Sequence, residues 1–162
     1  MTATYLKEHL RELSRLNMPE KQKRFYQWEY RVSKPVDVVP YKSVPGLGPV
    51  VTAFLKRYKP KIKECYVTAW RVTMDIPGVY YIDGFRDLTK IPIPIEHAWN
   101  YYKGKYFDLT SEIALKDDVR RVNYLQMLKL NRTELSIITL RTKTYGGYIG
   151  DYYLHKILGK KW

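Results

Sequence analysis

The chain has 162 residues, of which 45% are hydrophobic and 28% charged, and its formal net charge is +13. This length suits one domain with a real core, and the composition is that of a globular chain rather than a disordered or fibrous one. A single cysteine excludes an intramolecular disulfide, and no stretch approaches the roughly 18 apolar residues of a membrane span. The charged, amphipathic N-terminus lacks the apolar region of a signal peptide, so we expect a cytoplasmic protein.

The first part of the chain predicts two helices followed by a connection. Four leucines at helical spacing predict an amphipathic helix over residues 4–17, with Thr4 as its N-cap. A second, basic and aromatic helix is predicted over residues 20–30. Residues 33–49 contain four prolines and two glycines, which predicts an irregular connection rather than a regular element.

The rest of the chain alternates helix and strand signals. The pattern predicts helices over residues 49–58, 61–72, 134–141 and 149–158, a strand over 79–85, and a β-hairpin over 93–110. Residues 122–130 fit either a strand or a short helix. This order predicts an α+β domain, in which a small antiparallel sheet is packed against one helix and flanked by N- and C-terminal helices. We expect one domain over residues 1–162, made of a helical arm (1–32), the connection (33–49) and a core (50–162).

The predicted hairpin brings a histidine and an aspartate together. With Lys103-Gly104 as a two-residue loop, His97 lies opposite Thr110 and on the same face as Asp108. His97 and Asp108 are then diagonal neighbours about 7 Å apart at Cβ, within reach of a hydrogen bond. A bulge that changed the loop by one residue would put them on opposite faces.

The cysteine supplies a nucleophile for this pair. Cys65 follows three lysines and lies in the first turn of the predicted helix if that helix begins near Lys63, and both features favour a thiolate. His97 would accept the thiol proton and return it to a leaving group, and Asp108 would fix the tautomer of the imidazole. Cys65, His97 and Asp108 are therefore the candidate catalytic residues.

Each of these residues also has an ordinary structural interpretation. A lone cysteine is often a buried small hydrophobe, and a single histidine on a strand is often a satisfied structural residue. Asp108 also suits a turn or a helix cap. Trp99 and Tyr66 are the candidate substrate-binding residues, although a tryptophan on this strand also suits the core.

The residues of the hairpin resemble a known family. His97-Ala98-Trp99, followed by Tyr106-Phe107-Asp108-Leu109-Thr110, is similar to the His-Ala-Trp and Asp-Pro-Thr signature of transglutaminase-like cysteine hydrolases of the papain-like superfamily. In that family the cysteine opens a helix upstream, and the histidine and aspartate follow on adjacent strands. The resemblance covers residues 60–112. The chain also resembles short phage and bacterial proteins, for which the location would be the host cytoplasm.

The chain departs from that family pattern at three places. Leu109 replaces the usual proline, and Tyr66 follows the cysteine where the family has tryptophan. A glutamine shortly before the cysteine often donates to the oxyanion in papain-like enzymes, but lysines 59, 61 and 63 stand there instead. The backbone N–H of Cys65 can serve as one oxyanion donor, and the second donor is unassigned.

Two classes of function follow. The resemblance implies a cysteine-dependent acyl-transfer enzyme (amidase, protease, deamidase or transamidase) that acts on an amide, ester or thioester through an acyl-enzyme. The alternative is a basic binding protein for nucleic acid or an acidic protein surface, such as a phage-encoded host-interaction or counter-defence factor. In that case Tyr145, Tyr148, Tyr152 and Tyr153 would stack on bases, unless they pack across the last helix.

No other chemistry competes with these two. Three scattered histidines and one cysteine do not predict a zinc site, so we expect no metal and no cofactor. Asp117-Asp118 is interpreted as a solvated turn rather than a metal-binding pair.

Overall fold

A computed structural model describes residues 4–88 and 91–162, and its fold is α+β. Six helices are present: α1 (Thr4–Leu13), α2 (Glu20–Val32), α3 (Gly48–Arg57), α4 (Cys65–Asp75), α5 (Arg132–Thr142) and α6 (Ile149–Tyr152). Five strands form one sheet: β1 (Lys34–Val36), β2 (Tyr80–Leu88), β3 (Ile91–Tyr102), β4 (Lys105–Phe107) and β5 (Tyr124–Leu130). None of the helices in these ranges has the length and apolar character needed to cross a bilayer.

The prediction of an irregular connection over residues 33–49 is wrong at β1. Lys34, Pro35 and Val36 pair with residues 124–126 of β5 as an antiparallel edge strand. Proline lacks an N–H, but an edge strand needs hydrogen bonds on one side only, so Pro35 is tolerated there. The segment 122–130, which the pattern left open, contains the strand β5.

The sheet is curled, because the segment that follows one edge strand contacts the other edge strand. Its order is β1-β5-β2-β3-β4, with every neighbouring pair antiparallel. Just after β1, Val38 forms a bridge to Tyr106 of β4, and the Val39 N–H donates to the Tyr106 carbonyl at 2.9 Å. Since β1 and β4 are the two edge strands, this bridge closes the curl around its inner face.

Each face of the curled sheet is covered by its own core. The inner face holds Ile82, Trp99 and Tyr124 together with Val36 and Val38. The outer face is covered by N-terminal and C-terminal helices. Helices α1 and α2 contribute Leu6, Leu10 and Trp28, and the C-terminal region contributes Leu135, Tyr148 and Ile149. Helices α1 and α2 therefore contribute side chains to the main core and do not only form an N-terminal arm.

Helix α4 lies against β3 on the outer face. The Asn100 side-chain amide of β3 donates to the Ala69 carbonyl and to the Thr73 hydroxyl, each at 3.0 Å. On its other side, α4 buries Val72 and Ile76 against α3. These contacts fix the helix along most of its length, and its first residue is Cys65.

Candidate active site

Cys65 opens helix α4 after a sharp change of backbone direction. Lys63 adopts a left-handed conformation (φ 67°), Glu64 is the N-cap residue, and the thiol-bearing residue is the first in the helix. No side chain caps this N-terminus, so the N–H groups of the first turn are left for another acceptor. The thiol is free and half-buried. The expectation that it lies in the first turn is met, although the helix begins four residues after the start of the predicted range 61–72.

His97 and Asp108 form a buried pair on the inner side of the hairpin. The Nε2 atom of His97 lies 2.7 Å from Oδ2 of Asp108, and the two residues are only 3% and 1% exposed. His97 lies on β3 opposite Gly84 of β2. The pairing of Tyr102 with Lys105 across the predicted two-residue loop is confirmed, and the register holds as far as Phe107.

The geometry beyond Phe107 differs from the predicted hairpin. Strand β4 ends at Phe107, and Thr110 begins a short π-helical turn (Thr110–Ala114) instead of facing His97. Oδ1 of Asp108 accepts the Ser111 backbone N–H at 3.0 Å, as a helix cap does. Asp108 is therefore a cap through one oxygen and the partner of His97 through the other. The two contacts that the sequence suggested for this residue are thus both present.

The Cys65 side chain acts on His97, since it is one of the causes that raise the pKa of the imidazole. Because Nε2 is engaged by Asp108, Nδ1 is the ring nitrogen left for the cysteine. Burial lowers the pKa of His97, but the Asp108 carboxylate and the Cys65 side chain raise it, and the result is a pKa of about 9. Burial raises the pKa of Asp108, but the charge and hydrogen bond of His97 outweigh it and lower the value to about 2. The arrangement therefore favours an imidazolium between the Asp108 carboxylate and the Cys65 sulfur.

The two candidate substrate-binding residues lie in different surroundings. Trp99 is 1% exposed and stacks on His97 with ring centroids 6.2 Å apart, so its ring faces the core and supports the imidazole. Tyr66 is half-buried, and its hydroxyl donates to Oε2 of Glu96 at 3.3 Å. Only Tyr66 of this pair therefore offers a partly exposed ring close to the thiol.

Four residues that support Asp108 were missed by the sequence analysis. The Tyr124 hydroxyl and the Ser111 hydroxyl both donate to Oδ2 of Asp108, the former at 2.9 Å. Arg86, which is buried, donates to the Ser111 hydroxyl and pairs with Asp117 at 2.8 Å. The interpretation of Asp117 as a solvated turn residue is therefore wrong. Only Ser111 had a sequence signal, since an aspartate three residues before it fits a capping pattern.

The tyrosines proposed to stack on bases are largely unavailable. Tyr148 and Tyr153 are buried in the main core, and Tyr152 is half-buried and packs beside them. Tyr145 is exposed but contacts Trp70 edge-on, with centroids 5.0 Å apart. Tyr148 and Tyr153 therefore pack across the C-terminal end of the chain, as their structural interpretation predicts.

The His97 pKa predicts how stability changes with pH. The ordinary value is about 6.5, so the folded state holds the extra proton more tightly, and the stabilisation is complete below that pH. It is lost as the pH rises through about 9. At ~1.4 kcal/mol per pKa unit, we expect the loss to be at most ~3 kcal/mol, measured by urea unfolding at pH 6 and pH 9.5.

Comparison with His97→Gln isolates this contribution. Burial also raises the pKa values of Glu29 and Asp83, so these carboxylates titrate in the same range. They are present in both proteins, so the difference between the two stability curves reports His97 together with the effect of its charge on Asp108 and Asp83. If the wild-type and variant curves run parallel from pH 6 to 9.5, the His97–Asp108 pair does not carry this charge.

Comparison with known proteins leaves the family open. No protein-family model, no curated protein and no solved structure matches this chain. The function therefore has to be argued from the geometry of Cys65, His97 and Asp108.

Proposed function

We propose that this protein is a cysteine-dependent acyl-transfer enzyme of the transglutaminase-like type, with Cys65 as nucleophile. The observation that carries the proposal is the His97–Asp108 pair, 2.7 Å apart, together with Cys65 at the start of α4, where its side chain acts on His97. Cys65 is the only one of the three residues that is not buried, so a substrate would meet the thiol first. This is the order of access that covalent catalysis requires.

The proposed reaction has two halves, acylation and deacylation of Cys65, and His97 transfers a proton in each of them. The thiol proton of Cys65 passes to Nδ1 of His97, and the sulfur attacks the carbonyl carbon of an amide, ester or thioester while the carbonyl π electrons move to the oxygen. When the tetrahedral intermediate collapses, the bond to the leaving group breaks and that group takes the proton held on Nδ1 of His97. Water or an amine then attacks the acyl-enzyme, gives a proton back to His97, and displaces the thiolate.

The first turn of α4 is the proposed oxyanion site. The N–H of Cys65 points out of a helix N-terminus that has no side-chain cap, and the helix dipole favours negative charge there. Lys61 does not contribute a free charge, because it pairs with Glu64 at 3.7 Å. We propose that the neighbouring first-turn N–H of Tyr66 supplies the second donor in place of the glutamine of the family.

The net charge of +13 supports an acidic partner or substrate, through steering rather than through a defined site. A non-catalytic basic binding protein is the rival class, and the same net charge favours it. The buried tyrosines of the C-terminal region weaken the base-stacking form of that rival. A working thiol also requires a reducing compartment, in keeping with a cytoplasmic location.

The reactivity of the thiol tests this proposal without knowledge of the substrate. An ordinary thiol with a pKa of about 8.5 is less than ~1% thiolate at pH 6. If Cys65 forms an ion pair with His97, we expect iodoacetamide to alkylate it at pH 6 at no less than about a tenth of its rate at pH 9. The adduct is counted by intact-protein mass spectrometry.

Removal of the imidazole provides the comparison. We expect His97→Ala to lower the alkylation rate at pH 6 at least tenfold and to leave the rate at pH 9 within about twofold. His155→Ala is the matched control, because it removes a histidine that contacts Lys160 near the C-terminus and not Cys65. A native Cys65 that stays unreactive at pH 6 would refute the enzyme and leave the basic binding protein.

A further inference from the structure

A cavity beside the candidate active site has an unusual lining for so basic a protein. It measures about 210 Å³ and lies between helices α1 and α2 and strands β2 and β3. Leu10, Leu13, Phe25 and Phe85 give it apolar walls, and Glu29 and Glu96 are its acidic residues. None of the described residues that line it is lysine or arginine, although the chain contains 29 of them.

Glu29 is the residue that needs an explanation. It is 3% exposed, and within residues 4–88 and 91–162 its carboxylate has no hydrogen bond or ion pair, although the charge of Glu96 acts on it and His9 lines the same cavity. Buried carboxylates are normally paired, because an unpaired one costs several kcal/mol. Burial, with a smaller effect from the Glu96 charge, raises the pKa of Glu29 to about 8. A cation bound beside Glu29 would stabilise its charged form.

The cavity is connected to the nucleophile by direct contacts. Tyr66, which follows Cys65, donates its hydroxyl to Oε2 of Glu96 at 3.3 Å. Glu96 in turn precedes His97 on β3. Glu96 therefore lines the cavity and also contacts the residue that follows the nucleophile.

We propose that this cavity binds the arginine side chain of a substrate, with the guanidinium between Glu29 and Glu96 and the alkyl stem against the apolar walls. A guanidinium is more weakly hydrated than an ammonium and offers several donors to carboxylates, so it is the cation better suited to a buried site. The two phenylalanines add faces on which a guanidinium stacks. The role as a substrate pocket rests on the proposed acyl-transfer function, whereas the binding itself does not.

Binding is tested on the Cys65→Ala protein, so that no turnover intervenes. The probes are Nα-acetyl-arginine methylamide and its citrulline counterpart, which has the same shape without the charge, titrated by NMR. We expect the arginine probe to bind at least tenfold more tightly, and Glu29→Gln to abolish that preference. Glu12→Gln is the matched control, because Glu12 is an exposed carboxylate of α1 outside the lining. Equal affinity for the two probes, or an equal effect of Glu12→Gln, overturns the proposal.

A second readout separates the cavity from the catalytic proposal. In the wild type, we expect a saturating concentration of the arginine probe to slow iodoacetamide alkylation of Cys65 at least threefold. Binding without protection overturns the assignment as a substrate pocket. Failure of the acyl-transfer proposal has a different signature, namely a thiol that is unreactive at pH 6 while the arginine preference persists.

Discussion

Asp108→Ala is expected to lower the free energy of unfolding by about 3–5 kcal/mol, the cost of breaking a buried ion pair by removing one partner. The carboxylate is 1% exposed and accepts from His97, Tyr124, and both the backbone and the hydroxyl of Ser111. Its loss leaves several buried donors without acceptors. Urea unfolding at pH 7 measures the change, and Asp118→Ala, which removes an exposed cap of a short turn, should cost less than about 1 kcal/mol.

Asp108→Asn separates positioning from stability. An asparagine keeps the size and can still cap Ser111, so we expect a loss of only about 1–2 kcal/mol. It removes the charge that holds the proton on His97, and alkylation of Cys65 at pH 6 should fall at least tenfold, as in His97→Ala. A folded Asp108→Asn protein with wild-type reactivity at pH 6 would show that Asp108 only stabilises the hairpin.

Gly84→Ala is expected to destabilise the fold by more than about 3 kcal/mol, or to prevent folding at 37 °C. A Cβ atom built on Gly84 would lie 2.2 Å from the Leu125 carbonyl oxygen and 2.8 Å from the Trp99 ring. The first contact is with the backbone of β5, which cannot move without breaking the sheet. The β2–β5 register shifts between Asp83 and Gly84, so this close approach lies at a bulge.

Gly150→Ala is the matched control for this substitution. Gly150 lies in α6 with nothing within 4 Å of an added Cβ, and alanine is the better helix former by up to ~1 kcal/mol. We therefore expect Gly150→Ala to be neutral or slightly stabilising. Trp99→Phe should not rescue Gly84→Ala, because the Leu125 oxygen stays in place. A Gly84→Ala protein as stable as the wild type would mean that β2 and β5 are further apart than described.

Local signals in the sequence predicted the parts of the site that depend on the hairpin. Lys103-Gly104 has the positive φ angles (44° and 87°) of a two-residue hairpin turn, and this fixes which residues of β3 and β4 face each other. The α4 boundary was approximately right, because Pro60 and Pro77-Gly78 bracket it. Cys65 and His97 could therefore be placed on their elements from the sequence alone.

The rest depended on contacts between distant segments. The strand β1 was missed because it contains Pro35 and is followed by three more prolines, which argue against regular structure, and only the partner β5 makes it a strand. The network of Arg86, Ser111 and Asp117 joins β2 to the segment 111–117, which no spacing rule relates. The start of α5 was a simpler error: the helix was predicted from residue 134 but begins at Arg132, and its capping box of Asn131 and Glu134 is already visible in the sequence.

The bridge between Val38 and Tyr106 also bears on self-association. An exposed strand edge can pair with another copy of the chain, and this is a common route to aggregation. Here one edge strand is only three residues long and contains Pro35, and the other is partly covered by the segment around Val38. Part of β3 is not paired with β4 and could offer an edge to another strand. This part contains Pro92 and Pro94, which have no N–H group to donate. The features that made these segments hard to recognise as strands thus also protect the sheet from other copies of itself.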